Sequence, residues 1–201
     1  MTKNNPIEES FVPKADERIV GYQGYGLIQL IHGHGKGKTT ASLGQSIRAA
    51  GAGKKVVIIY FDKGGTDHYS ERSIIDKIDN IDYVATGRDR IDPKSGRFDF
   101  SITDVDRKEA DRGLKLAEKA LTSDEVDLVV LDEINSTVDL DMIDHQRVLK
   151  VLNSKKKDVE VIMTGRNPHE SFLELAHLIT NMRLERHYFY SGVTAREGLD
   201  F

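Results

Sequence analysis

The strongest signal along the chain is a recurrence of short aliphatic runs that stop abruptly at glycine or acid. Gly26 to Gly33 reads GLIQLIHG, Lys54 to Phe61 reads KKVVIIYF, Asp127 to Glu133 reads DLVVLDE and Asp158 to Gly165 reads DVEVIMTG. Short runs rich in Val and Ile fit strands buried on both faces, as in a parallel sheet. Between the runs the period changes. Lys38 to Ala50 follows the first run directly, and Asp104 to Leu121 places Leu114, Leu116, Ala117, Ala120 and Leu121 close to a 3.6-residue period. Asp141 to Leu152 and His169 to His177 read the same way. Strands alternating with helices predict right-handed crossovers and an α/β fold, a doubly wound and mostly parallel sheet flanked by helices.

Two stretches stand outside this alternation. Residues 1–22 are polar and carry Pro6 and Pro13, which predicts an N-terminal arm ahead of a single domain over residues 23–201. Gly87 to Thr103 follows neither period, holds Gly, Pro, Asp and Ser, and is long for a connection inside a compact domain. Connections of that length are usually functional or mobile. Lys155 to Lys157 reads as a solvated turn before the fourth run.

Composition narrows the chemistry. The 201 residues carry 33 acids against 29 Lys plus Arg, a net charge of −4, which disfavours nonspecific nucleic-acid binding. There is no cysteine, which excludes disulfides, thiolate metal sites, iron–sulfur clusters and Cys nucleophiles. No apolar stretch approaches the length of a membrane span, and the N-terminus lacks a signal-peptide core. These features point to a cytoplasmic protein with no membrane and no nucleic-acid partner.

The most specific motif sits at the end of the first run. Gly33-His34-Gly35-Lys36-Gly37-Lys38-Thr39-Thr40 follows a predicted strand and opens a predicted helix, the context that a phosphate-binding loop requires. Glycines let backbone N–H groups turn inward around phosphate oxygens, and a helix N-terminus adds favourable partial charge. Lys38 supplies a full positive charge, and Thr39 a hydroxyl for Mg²⁺. The strict spacing would place the first glycine at position 32, which is His32, so the loop is one residue short. The third run ends in Asp132 and Glu133. An aliphatic strand ending in acid is the partner of such a loop: Asp132 would hold Mg²⁺, directly or through water, and Glu133 could activate water or orient a ribose or metal ligand. Together these features predict a P-loop NTPase arrangement of RecA type that binds Mg-nucleotide, and they leave the reaction open.

At this point a family resemblance enters. The short loop, the strand LVVLDEIN (Leu128 to Asn135), the strand VIMTGR (Val161 to Arg166) and the tail GVTAREGLDF (Gly192 to Phe201) resemble the P-loop class of ATP:corrinoid adenosyltransferases, from about Gly26 to Phe201. Lys63-Gly64, Glu71-Arg72 and Lys108-Glu109-Ala110-Asp111 match the family pattern too. The resemblance implies transfer of the 5′-deoxyadenosyl group of ATP to the cobalt of a reduced corrinoid, cobalamin or a precursor, with release of triphosphate. It implies that Gly33 to Thr40 cradle the triphosphate and that Lys38 and Mg²⁺ balance its charge. It implies further that Arg48 approaches the nucleotide, that Glu133 contacts the ribose or metal side, and that Thr164, Gly165 and Arg166 face the same crevice, with Lys63 and Asn135 in matching segments. A homodimer, with the N-terminal arm covering a site, and a reductase partner belong to the same expectation.

One segment departs from the family. Its G-F-x-W aromatics, expected against the lower face of the corrinoid, align with Gly87-Arg88-Asp89-Arg90, and the chain has no tryptophan at all. Phe98 and Phe100, in an insertion before Lys108, have an F-x-aromatic spacing and are either displaced counterparts or anchors of a long loop. The Tyr common after D-E-[IL]-N is Ser136. Among the histidines, His187 is a candidate for the corrinoid cavity, while His68, His145, His169 and His177 read as surface or capping residues. Tyr188, Phe189 and Tyr190 read as core or dimer surface. Two further readings remain: a P-loop ATPase or ATP-dependent transferase with another acceptor, and a non-catalytic nucleotide- or corrinoid-binding module.

Overall fold

The computed structural model describes residues 14–65, 68–90 and 99–200. Its centre is a six-stranded sheet in the order β3-β2-β4-β5-β1-β6. The strands are β1 (Ile28–His32), β2 (Val56–Tyr60), β3 (Ile81–Ala85), β4 (Leu128–Asp132), β5 (Glu160–Gly165) and β6 (Leu178–Asn181). All neighbouring pairs run parallel. The helices are α1 (Lys38–Gly51), α2 (Arg72–Ile75), α3 (Asp104–Leu121), α4 (Ile134–Asp139), α5 (His145–Asn153) and α6 (Glu170–Leu175). The four expected strands and α3 stand where the hydrophobic pattern put them.

Strand alternation sorts the interior into two layers. On one face Leu30, Ile59, Phe61, Val129, Leu131, Val161 and Met163 pack with Leu114, Ala117 and Leu121 of α3, Val148 and Leu152 of α5 and Phe172 of α6. On the other, Ile31, Val56, Ile58, Tyr60, Leu128, Val130 and Ile162 pack with Ala49 of α1 and Ile75 of α2. Both faces are therefore covered, which is why β2, β4 and β5 read as continuous apolar runs. Gly113 lets α3 approach the sheet: a Cβ there would lie 2.7 Å from the Phe61 ring.

Helix ends follow local chemistry. The expected helix from Asp141 begins at His145, because Asp141 has φ 53° and Asp144 caps the helix by accepting from Gln146 N at 2.6 Å. His169 caps α6 by accepting from Ser171 N, and His177 Nδ1 accepts from Ile28 N at 3.0 Å. The segment before β1 forms a short 3₁₀ turn, Glu17–Ile19, whose Arg18 donates to the carbonyls of Glu174 and Ala176, both at 2.8 Å.

The Gly87–Thr103 connection is tied down at its described ends by two arginines. Arg88 donates to Asp106 at 3.0 Å and to Asp99 at 2.7 Å. Arg90, 5% exposed, donates to Asp62 at 2.6 Å, to Asp106 at 3.2 Å and to the carbonyls of Asp99 and Ser101. Asp106 is 1% exposed and also accepts from the N–H and hydroxyl of Thr103, closing the first turn of α3. Where the resembled family carries aromatics, this chain thus carries a buried ion-pair network.

Burial alone would push the Asp106 carboxyl up; the Thr103 bonds and the Arg90 and Arg88 charges outweigh it and hold the group below its ordinary value of 3.8. A depressed folded-state value means the stabilisation is complete above 3.8 and is lost as pH falls through the folded value. Asp106→Asn is expected to lower the unfolding free energy at neutral pH by about 1.5–3 kcal/mol, as for hydrogen bonds to a charged group. In urea titrations the gap between wild type and variant narrows as pH drops below 3.8; a gap independent of pH would show that the charge contributes nothing.

Candidate functional site

The site lies at the carboxyl ends of β1, β4 and β5, where open α/β sheets bind ligands. β1 ends at His32 and the chain turns through Gly33 (φ 106°) and Gly37 (φ 112°) into α1. The tight packing is specific at Gly33, where a side chain would run into Asn181 and the Met182 carbonyl. Gly35 N donates to that same carbonyl at 2.6 Å, so the segment that leaves β6 braces the loop. Lys38 opens α1, is 8% exposed and curls back to donate to the Gly35 carbonyl at 2.8 Å. Burial lowers its pKa, and the nearby Glu133 and Asp132 charges offset only part of that. An ammonium so placed is short of anionic partners and suits phosphate oxygens. His34, Lys36 and Thr40 complete the loop around it.

Asp132 is wholly buried at the end of β4. Its Oδ1 accepts from the Thr164 hydroxyl at 2.6 Å. Its Oδ2 meets the Thr39 hydroxyl at 3.2 Å and the Lys63 ammonium at 2.5 Å. Burial alone would lower the Lys63 pKa; the Asp132 and Glu133 charges outweigh it and hold the group above its ordinary value. Glu133 follows with φ 63°, a left-handed conformation that is uncommon for a non-glycine residue. It swings the carboxylate out of the strand into the crevice, where it accepts from Ser136 Oγ at 2.6 Å. Ser136 Oγ in turn accepts from Arg166 N at 2.9 Å. Ser136, where the family pattern has Tyr, therefore links Glu133 to the end of β5.

Two adjoining cavities share this chemistry. One, of about 540 Å³, is lined by His34, Gly35, Lys36, Lys38, Thr39, Lys63, Glu133 and Arg166 from the phosphate loop and strand ends. Leu184, His187, Tyr188, Phe189, Tyr190, Val193, Ala195 and Asp200 from the C-terminal segment line it too. The second, of about 700 Å³, shares Lys36, Lys38, Thr39, Lys63, Glu133 and Asp200, and adds Leu43, Tyr69, Glu71 and Leu199 among others. The tail between them is latched to the loop: Lys36 donates to Asp200 at 2.6 Å and to the Leu199 carbonyl at 2.5 Å. The Tyr188 hydroxyl also binds Asp200, and Arg196 stacks over the Tyr188 ring at 4.5 Å. These donors, Lys36 first and Tyr188 next, hold the Asp200 carboxyl well below the usual carboxylate range.

The structure thus gathers Gly33 to Thr40, Lys63, Asp132, Glu133 and Arg166. It separates others. Arg48 lies on α1 ten residues past Lys38, about 15 Å along the helix axis. There it lines a cavity of about 330 Å³ at the opposite end of the sheet, with Gln29, Gln45 and Glu160. Asn135 is fully buried, lines neither phosphate-loop cavity and has no hydrogen-bond partner for its amide among the described residues. Phe98 lies outside the described residues. Phe100 is 83% exposed and lines neither of these cavities. The aromatic surface beside the phosphate loop comes instead from Tyr188, Phe189 and Tyr190, a run that sequence reasoning assigned to core or dimer surface. Its signal was adjacency to His187 and to the glycine-punctuated tail.

Comparison with known proteins agrees with this geometry. Residues 24–201 match the family described as ATP:corrinoid adenosyltransferase BtuR/CobO/CobP. The corrinoid adenosyltransferase of Escherichia coli is 33% identical over 190 residues, covering 94% of this chain and 92% of that protein. Corrinoid adenosyltransferase CobA of Salmonella typhimurium is 33% identical over 185 residues, covering 88% and 86%. An uncharacterized protein of Nostoc is 32% identical over 201 residues and covers 94% of this chain, which spans 50% of its length. A glycine loop at the mouth of a parallel sheet, an acid-ended strand facing it and a family match across the whole domain converge: the chain belongs to the ATP:corrinoid adenosyltransferase family.

Proposed function

We propose that this chain transfers the 5′-deoxyadenosyl group of ATP to the cobalt of a reduced corrinoid, with the cavities at Lys38 as the shared substrate site. Family membership carries the reaction class. The single structural observation that supports the assignment is that one cavity is lined both by phosphate-type groups, Gly35, Lys38 and Thr39, and by a run of rings, His187 to Tyr190. The first suits a polyanion and the second a large apolar ring system.

In the proposed reaction Co(I), a strong nucleophile, attacks the 5′-carbon. A cobalt–carbon bond forms, the carbon–oxygen bond breaks, and its electron pair leaves with triphosphate. No proton needs to move at the reacting carbon, so the protein's part is positioning and charge. Lys38 and the loop N–H groups receive the charge that grows on the leaving group. The donor set at Thr39 and Asp132, a hydroxyl and a carboxylate with oxygens 3.2 Å apart, fits Mg²⁺, which takes few protein ligands alongside substrate phosphates. Mg²⁺ bound there would add charge that stabilises the leaving triphosphate. Glu133, held by Ser136, orients the ribose side. Leu184 and the ring wall exclude water from the acceptor.

The active domain spans residues 23–201, with residues 1–22 as an arm whose Arg18 contacts support docking beside α6. A homodimer is consistent with the edge strand β6, where Leu178 and Ile179 are exposed. Among the described residues no helix is long and apolar enough to cross a membrane, and we place the enzyme in the cytoplasm with a separate reductase supplying Co(I).

With Mg-ATP and chemically reduced corrinoid, the enzyme should yield triphosphate and adenosylated corrinoid in equal amounts, followed by absorbance and chromatography. Release of ADP and phosphate with no adenosylated product would instead mean an ATPase. Lys38→Ala should lower turnover roughly 10²–10³-fold, the usual loss when one donor to a developing anion is removed, while circular dichroism stays unchanged. Retained turnover would mean that another group balances the leaving charge. The double variant Phe189→Ala with Tyr190→Ala should raise KM for the corrinoid about tenfold or more, from lost apolar contact, and leave KM for ATP unaltered. An unaltered corrinoid KM would place the acceptor elsewhere.

A further inference from the structure

Lys63 is anchored at its backbone and carries its charge on a flexible four-carbon stem. Its N–H donates to the Thr86 carbonyl at 2.8 Å, and its own carbonyl accepts from Arg72 at 2.7 Å. Arg72 is itself 7% exposed and stacks on the Tyr69 ring at 3.8 Å, so the group that holds the Lys63 carbonyl is itself packed in place. The side chain then runs into the crevice and borders both cavities. Its Nζ stands 2.5 Å from Asp132 Oδ2, 2.9 Å from Thr39 Oγ1 and 3.9 Å from Glu133 Oε1.

Thr39 Oγ1 and Asp132 Oδ2 are the two oxygens that fit Mg²⁺, and the ammonium touches both. A Mg²⁺–oxygen distance is about 2.0–2.1 Å, so an ion bound to this pair on the side that Lys63 occupies would overlap the ammonium nitrogen, and on any other side it would still face that full positive charge across the same two oxygens. The two cations therefore compete for one buried carboxylate. Nor can Asp132 stand alone, because a wholly buried carboxylate without a cation is costly. The consistent solution is an exchange. Lys63 leaves Asp132 as the divalent ion arrives, and the phosphates that come with the ion give the ammonium a new anion. A lysine suits this role, being a compact charge with rotatable donors on a flexible four-carbon stem.

We propose that Lys63 is a built-in counter-cation of Asp132 that keeps a free divalent ion out and gives way only when the ion arrives with a triphosphate. This deepens the nucleotide-site reading above and rests on it. The consequence is coupling. An ion entering alone would strand the ammonium beside a double positive charge, whereas an ion with triphosphate replaces one ion pair by two.

The test measures Mn²⁺ binding by electron paramagnetic resonance, with and without inorganic triphosphate. Wild type should bind Mn²⁺ weakly alone and much more tightly with triphosphate. Lys63→Met should bind Mn²⁺ alone at least tenfold more tightly than wild type, and should lose most of the enhancement by triphosphate. Lys63→Arg, which keeps the charge, should exclude the ion as wild type does. Lys63→Met with Asp132→Asn should lose the gain. If Lys63→Met does not melt cooperatively, Lys63→Gln, which can still donate to Asp132, carries the same comparison. An unaltered or weaker Mn²⁺ affinity in a folded neutral variant overturns the proposal and makes Lys63 a fixed strut. Wild type that fails to bind Mn²⁺ even with triphosphate would instead overturn the nucleotide-site reading itself.

Discussion

The arrangement of the site depends on one buried charge. Asp132 ends β4 with no exposure to water, and a carboxylate in that position is tolerable only if it is fully paired. Its partners come from three other places in the chain: Thr164 from β5, Thr39 from the first turn of α1, and Lys63 from the turn after β2. Each partner fixes the end of a different element against the same atom pair. The need to satisfy Asp132 therefore brings the phosphate loop, the lysine loop and the end of β5 to one point at the mouth of the sheet.

A second buried network does comparable work beyond the end of β3. Arg90 and Arg88 converge on Asp106, and through Asp62 the network reaches the turn after β2. Asp62 is adjacent to Lys63, so the two networks meet in one turn. Burial pushes the Asp62 carboxyl up, and Arg90 counters it. The segment that carries aromatics in the resembled family has thus become a clamp on the start of α3. The aromatic surface beside the phosphate loop is built from the other side, by Tyr188, Phe189 and Tyr190 under the tail. The tail is held by the contacts of Lys36 and Tyr188 with Asp200, so the loop that would grip phosphate also positions the rings that line its cavity.

The sheet order was less legible than its strands. Runs such as VVIIY and LVVLD are buried on both faces and announce themselves. β3 and β6 do not, because Asp82 and Tyr83 interrupt the first and all four residues of the second are exposed. α4 was invisible because it starts without a turn: Glu133 in the left-handed region takes the place of a connecting loop. The expected helix from Asp141 lost its first turn for a similar reason, a left-handed backbone that no periodicity records.

What the sequence determined by itself was local chemistry. A glycine-punctuated turn between strand and helix, a Lys-Thr pair after it, and a strand ending in Asp-Glu follow from backbone freedom and side-chain type within a few residues, and they carried fold class and family. What only the tertiary structure decided was which distant groups share a space. The sequence puts Arg48 and Asn135 with the nucleotide, and the fold sets one at the far end of α1 and packs the other, buried, against Gly165 at the end of β5. Sequence pattern assigns Tyr188 to Tyr190 to core or dimer surface, and the fold sets them on the same cavity as Lys38. The physical reason is that helix length, strand register and the pairing of buried charges set such distances. Those depend on residues from many segments at once and leave no pattern in any one of them.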